Sequence, residues 1–284
     1  QPIRMRMLHR HCQPRLLLPF LHLLPCSFAD GSSLSTLLRK LSIDVGRIFN
    51  RWRYLRTGQM NRHLVAISLV AFIPTLSILF TLNYNDDELT SQIFFMACKL
   101  WLLVAPAYWY LRVEGNAISR SPADKEGLIM AAITGILMSV IIVLMWLIFG
   151  NTIDTASMLA EMETTGLTDI RIYIAGMVYW IFLNSLLEEY VFRWFVTTKG
   201  IDLLGSELAA IILSASLFTL HHAIALHYFG FVWWQTIMAC FGLLSAAAIW
   251  SWLYVRHKSI WVCWLSHAIC DIAVFGIGYI IIFG

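Results

Sequence analysis

Seven apolar runs, each close to twenty residues, limit what this 284-residue chain can fold into more than any other feature. They lie near 64–82, 93–111, 128–149, 172–195, 208–226, 231–254 and 260–283. At 1.5 Å per residue, about 20 residues of helix cross a hydrocarbon layer roughly 30 Å thick. Inside that layer the backbone has no water to bond to, so each run must satisfy its own N–H and C=O groups as a helix. The expected fold is therefore all-α, a polytopic transmembrane helix bundle of about seven spans. Composition agrees, with 59% hydrophobic and only 13% charged residues, where a soluble domain carries about a quarter charged. The polar connections are too short to build a soluble domain around the runs.

Basic residues orient the bundle. Arg47, Arg51, Arg53, Arg56 and Arg62 precede the first span, Arg112, Arg120 and Lys125 follow the second, Lys199 the fourth, and Arg256 and Lys258 the sixth. The alternate loops are acidic, with Asp86, Asp87 and Glu88 in one and Asp154, Glu161, Glu163 and Asp169 in the other. By the positive-inside rule the N-terminus is expected in the cytoplasm and the C-terminus on the other side.

Residues 1–59 hold ten Lys or Arg against two acids, Asp30 and Asp44, in a chain whose net charge is +3. This basic extension is expected to be poorly ordered. It reads either as an organelle transit segment, basic and serine-containing, or as an extension of the reading frame ahead of Met60. Residues 60–284 are expected to form the bundle, with a candidate functional core at 172–283. The six cysteines, Cys12, Cys26, Cys98, Cys240, Cys263 and Cys270, show no paired spacing and read as small packing residues. There is no Gly-x-Ser-x-Gly elbow, phosphate loop, internal repeat or His-Glu-x-x-His helix. Tryptophans such as Trp101, Trp109, Trp180, Trp194, Trp250, Trp252, Trp261 and Trp264 stand near span ends, where interface anchoring accounts for most of them.

Charges within a span are costly and mark function by default. Glu188 and Glu189 close the apolar run that begins at Ile172, His222 stands in the next span, and His267 and Asp271 stand in the last. Counted from the span ends, these residues fall at similar depth, roughly 14 to 21 Å inward, which predicts one polar site. Glu189 and Arg193 are four apart with the acid first, the favourable order for a helical ion pair. Glu188 is turned by about 100° from Glu189 and is left as the unpaired carboxyl, suited to general acid or base work. His267 and Asp271, also four apart, share a face. His222 is favoured over His221 because Phe218, four residues before it, can pack beneath its ring.

Glu188-Glu189-Tyr-Val-Phe-Arg193, Phe218-Thr-Leu-His-His222 and His267-Ala-Ile-Cys-Asp271 together resemble the motifs Glu-Glu-x-x-x-Arg, Phe-x-x-x-His and His-x-x-x-Asn/Asp. These belong to the CAAX protease and bacteriocin-processing family of intramembrane glutamic endopeptidases. The resemblance implies that Glu188 with His222 activates a water against a peptide carbonyl, while His267 and Asp271 stabilise the oxyanion. Glu189, Arg193 and Phe218 would support the site, and neither metal nor other cofactor is required. Two positions depart from the usual pattern. Trp194 stands where the family commonly has glycine and is expected to narrow access. Asp271 stands where asparagine is the better donor, so Asp271 is expected to orient His267 instead.

The family implies a CaaX-type prenyl-protein or a bacteriocin-related substrate, hence a membrane-associated or lipidated peptide or protein partner beside the bilayer, no nucleic acid, and a bacterial inner membrane as the setting. The alternatives are a non-catalytic scaffold or bacteriocin-immunity protein of the same fold, a transporter using the further intramembrane charge Lys99, and a metalloprotease with Glu188, His222 and His267 as ligands.

Overall fold

A computed structural model describes residues 58, 60–83 and 88–284. The basic extension 1–59 (Gly58 apart), Cys12, Cys26, Asp86 and Asp87 lie outside the described residues. Seven long helices carry the apolar runs: α1 (Met60–Thr81), α2 (Leu89–Val113), α3 (Lys125–Thr152), α5 (Ile170–Leu204), α6 (Glu207–Tyr228), α7 (Trp233–His257) and α8 (Ile260–Phe283). A short helix α4 (Thr155–Thr164) sits between α3 and α5. No strand occurs among the described residues. Each span reaches the mapped run within a few residues, except that α5 is longer than expected at its C-terminal end.

That extension has a local cause. Lys199, expected as the basic exit of the fourth span, is buried and holds Glu114 at the end of α2, with Nζ–Oε1 and Nζ–Oε2 distances of 2.6 and 2.8 Å. The charge is neutralised where it stands, so the helix continues to Leu204. Gly205 then ends it in the left-handed conformation (φ 66°), a common helix stop. Ser206 starts α6 by accepting the Ala209 N–H at 3.3 Å.

The helices pair by two kinds of contact. α3 lies on α8 through small residues, with Gly127, Ala131 and Gly135 at four-residue spacing on its buried face. A Cβ at Gly135 would come within 2.9 Å of the Ser266 carbonyl oxygen and 3.0 Å of Ile269 Cβ, so only glycine allows this approach. Thr134 meets Ser266 at 3.0 Å and Ser139 donates to the Ile269 carbonyl at 3.0 Å across the same seam. α5 is instead the central helix, in contact with α2, α6, α7 and α8. Its buried face runs through Val191, Phe192, Phe195 and Val196.

α5 is not a regular helix. Two π-helical stretches, Tyr179–Asn184 and Glu189–Thr197, flank the α-helical turn Ser185–Glu188. A π stretch disturbs the usual i→i−4 ladder, and in a membrane the affected carbonyls need side-chain partners. They have them. Ser185 Oγ lies 2.7 Å from both the Trp180 and Ile181 carbonyls and shares its single proton between these and Asp271, while Trp264 Nε1 donates to the Ile181 carbonyl at 3.0 Å. The Phe192 carbonyl accepts from Thr197 at 2.9 Å and from Ser214 of α6 at 2.8 Å.

Candidate active site

The central turn of α5 presents Glu188 and Glu189 to two different surroundings. Glu189 is fully buried and spans two partners. Its Oε2 faces Arg193 Nε at 3.1 Å, with both side chains at 0% exposure, as the four-residue spacing predicts. Its Oε1 lies 2.8 Å from His267 Nδ1. The Arg193 guanidinium, without further hydrogen-bond partners among the described residues, is covered by ring faces instead. Its central carbon is 4.4 Å from the Phe218 ring centre and 5.2 Å from that of Trp250. A guanidinium is weakly hydrated and stacks well on aromatic faces, so these contacts suit a buried arginine.

Glu188 is only partly enclosed. Its Oε1 accepts from Asn184 Nδ2 at 2.8 Å and lies 3.8 Å from His221 Nε2, while Oε2 lies 3.9 Å from His267 Nε2. Asp271 is on the same side, with Oδ1 3.5 Å from His267 Nε2 and Oδ2 accepting from Ser185 at 2.9 Å. The carboxyl groups of α5 and α8 and the imidazoles of α6 and α8 therefore meet at one place.

The histidine pair on α6 does not divide as expected. Phe218 does pack against the His222 ring, with centres 4.5 Å apart, but His222 Nδ1 is engaged with the Phe218 carbonyl at 3.0 Å. His221, stacked on Phe192 with ring centres 5.6 Å apart, places its Nε2 3.8 Å from Glu188 Oε1. Ligand atoms of Glu188, His221 and His222 all fall within 4.8 Å of one another. Spacing alone could not separate two histidines that both project toward the centre of the bundle.

His267 is likewise oriented from a side that spacing did not indicate. Asp271, one turn along the same helix, faces Nε2, whereas the shorter contact is from Glu189 to Nδ1. Trp250, grouped above with interface anchors, is buried and stacks on the His267 ring at 4.0 Å, and it donates to Ser266 at 3.2 Å. Trp264 is also drawn inward, to the π-helical turn of α5. Trp194 lies among Tyr190 and Tyr110, with ring centres 4.8 and 5.1 Å away. Cys98, Cys240, Cys263 and Cys270 are free thiols.

Seven helices among the described residues are long and apolar enough to cross a membrane, which makes this a multi-pass integral membrane protein. Residues 170–273 match the Rce1-like family model, described as type II CAAX prenyl endopeptidase Rce1-like. The match runs from the start of α5 into α8, and over those residues the chain is similar to this family of CAAX proteases. α1, α2 and α3 lie outside the matched segment. No curated protein and no solved structure matches the chain significantly.

Proposed function

We propose that this protein is an intramembrane glutamic endopeptidase that hydrolyses a peptide bond of a membrane-associated or lipidated substrate, of the CaaX prenyl-protein or bacteriocin-related kind. The observation that carries this reading is the convergence on Glu188 of an amide donor, Asn184, and two imidazoles, His221 and His267. Separations of 3.8 and 3.9 Å are too long for a direct hydrogen bond and suit a reacting oxygen held between the groups. Glu188 takes a proton from water as the oxygen attacks the substrate carbonyl. The histidines of α6 flank that water.

His267 serves the other half of the reaction. With Nδ1–H donated to the Glu189 carboxylate, Nε2 points toward Glu188 and Asp271. Protonated there, it donates to the oxyanion and then passes its proton to the departing amine. Glu189 holds the ring and stabilises its charged form, the part a carboxylate plays behind a catalytic histidine. Asp271, held by Ser185, adds a second acceptor at Nε2. The active end is proposed to open toward the cytoplasm, as the basic loops indicate.

The decisive measurement is cleavage of a membrane-anchored prenylated CaaX peptide by purified protein, with and without Glu188→Gln. Loss of cleavage in a folded variant supports the reading, whereas turnover at the wild-type rate overturns it. A second reading follows from one further observation, the proximity of Glu188, His221 and His222. Zinc on those atoms would supply a metal-bound water. Zinc bound stoichiometrically and lost together with activity on chelation would establish that metalloprotease, while activity unchanged by chelators supports the glutamate mechanism.

A further inference from the structure

Lys99 lies on α2 in the apolar sequence Phe-Phe-Met-Ala-Cys-Lys99-Leu-Trp, outside the segment that matches the protease family. An ammonium at this depth is costly unless a partner holds it. The Lys99 ammonium donates to Asn184 Oδ1, and Asn184 Nδ2 donates to Glu188 Oε1 at 2.8 Å. The chain Lys99–Asn184–Glu188 thus links a positive charge on α2 to the candidate base on α5 through one amide. The amide can be placed only one way, because its oxygen must face the ammonium and its NH2 the carboxylate. The Lys99 ammonium also lies 5.0 Å from the Phe95 ring centre.

We propose that Lys99 is a positioning residue for Glu188: through Asn184 it fixes the carboxylate and supplies a compensating positive charge to an otherwise acidic site. The proposal rests on the reading of Glu188 as base. Three acids, Glu188, Glu189 and Asp271, share the cluster, and Arg193 is bound to Glu189 on the enclosed side. The open side faces His221 and His222 from α6, His267 and Asp271 from α8, Tyr179 from α5 and Lys99 from α2. Of these, Lys99 is the group joined to Glu188 through a single shared amide, with its ammonium on the Asn184 oxygen and the Asn184 NH2 on the carboxylate. Chains linked through one side-chain amide transmit orientation as well as charge.

The test compares Lys99→Met and Lys99→Arg with the wild-type full-length protein in cleavage of a membrane-anchored prenylated CaaX peptide across pH, after folded fractions have been equalised by thermal denaturation. Lys99→Met should lower kcat about tenfold with KM unchanged, less than the 10²–10⁴-fold loss for removing the base. Its acidic limb of kcat should move to higher pH, and Lys99→Arg should restore most of both. A Lys99→Met profile superimposable on wild type, or a loss uniform across pH that arginine does not rescue, overturns the role of Lys99. Glu188→Gln is measured in parallel. If it is inactive while Lys99→Met is unaltered, only this inference fails; if it retains full activity, the assignment of Glu188 fails.

Discussion

α3 and α5 are both long, apolar helices, yet they solve the problem of packing inside a membrane in opposite ways. α3 is α-helical from Lys125 to Phe149 with no charge beyond its first turn, and it meets α8 through a stripe of Gly127, Ala131 and Gly135. α5 is broken by two π-helical stretches, buries Glu189 and Arg193 completely, and satisfies its disturbed carbonyls with Ser185, Thr197, Ser214 and Trp264. In lipid there is no hydrophobic gain from pressing one apolar helix on another, so α3 relies on close approach and a few cross-helix hydrogen bonds. α5 gives up regularity so that several polar side chains can meet at one depth, and π-helical turns are frequent at such sites. The contrast identifies α8 as the shared element. One face receives α3, and its His267 and Asp271 reach α5.

The largest effects are expected on α5, and the two adjacent glutamates sharpen the contrast within it. Glu188→Gln should reduce cleavage by 10²–10⁴-fold or more while the protein stays folded. Glu189→Gln should show first as lost stability, because it strands Arg193 and releases His267. Breaking a buried pair by removing one member typically costs about 3–5 kcal/mol. Changing Glu189 and Arg193 together to Gln and Met should recover part of that stability but not the activity, since His267 still lacks its orienting carboxylate. Thermal unfolding and cleavage measured side by side decide the matter: a folded, inactive Glu189→Gln beside a destabilised Glu188→Gln would reverse the roles.

On α3 the expected damage is to stability alone. Gly135→Leu must push the helix away from Ser266 and Ile269, an overpacking error of about 1–3 kcal/mol. The rate of cleavage per folded molecule should fall much less than the melting temperature suggests. If Gly135→Leu instead abolishes cleavage in fully folded protein, α3 is part of the site through α8 and the contrast drawn here is too sharp.

Smaller still are single changes at the Phe192 carbonyl. Either Ser214→Ala or Thr197→Val removes one of its two side-chain donors and should cost about 1 kcal/mol, whereas the double variant leaves the carbonyl to the helix backbone alone and should cost more than the two added together. Strict additivity in denaturation experiments would mean that the π-helical turn does not depend on these donors.

The smallest effect concerns the start of α3. Asp124 accepts the Gly127 N–H and faces His257 at 3.1 Å, which together hold its carboxyl below the usual range. A depressed carboxylate pKa means that the capping contribution is present above the ordinary value near 4 and fades as pH falls through the folded value. Asp124→Ala should therefore lower the melting temperature slightly at neutral pH, and the gap to wild type should close on acidification. A gap that widens as pH falls would contradict the capping role.

Much of this was legible in the chain because membranes leave few options. Seven apolar runs imply seven helices, and the spacing of Glu189 and Arg193 implies the buried pair that the structure contains. The spacing between His267 and Asp271 predicted a shared face, and their Nε2–Oδ1 distance is 3.5 Å. Harder to see were contacts between helices. Asn184, Ser185 and Lys99 lie in ordinary apolar surroundings in the sequence, and nothing at i±3 or i±4 connects Lys99 to any acid. His221 was ranked behind His222 and Trp250 grouped with the interface anchors by local rules, and the way α6, α7 and α8 face one another brings both to the site.

The sequence by itself determined the class of fold, the approximate ends of the spans, and which residues are too polar to sit in lipid without a purpose, because the cost of exposing backbone or charge to hydrocarbon acts residue by residue. Tertiary structure decided the partners. It settled that Glu189 rather than Asp271 makes the short contact to His267, that His221 stands nearer Glu188 than an argument from Phe218 allowed, and that Lys199 is buried against Glu114 instead of ending a span. These depend on the rotation of each helix about its axis and on the π-helical widening of α5, which are set by the packing of neighbouring helices and are not encoded in the periodicity of any one of them.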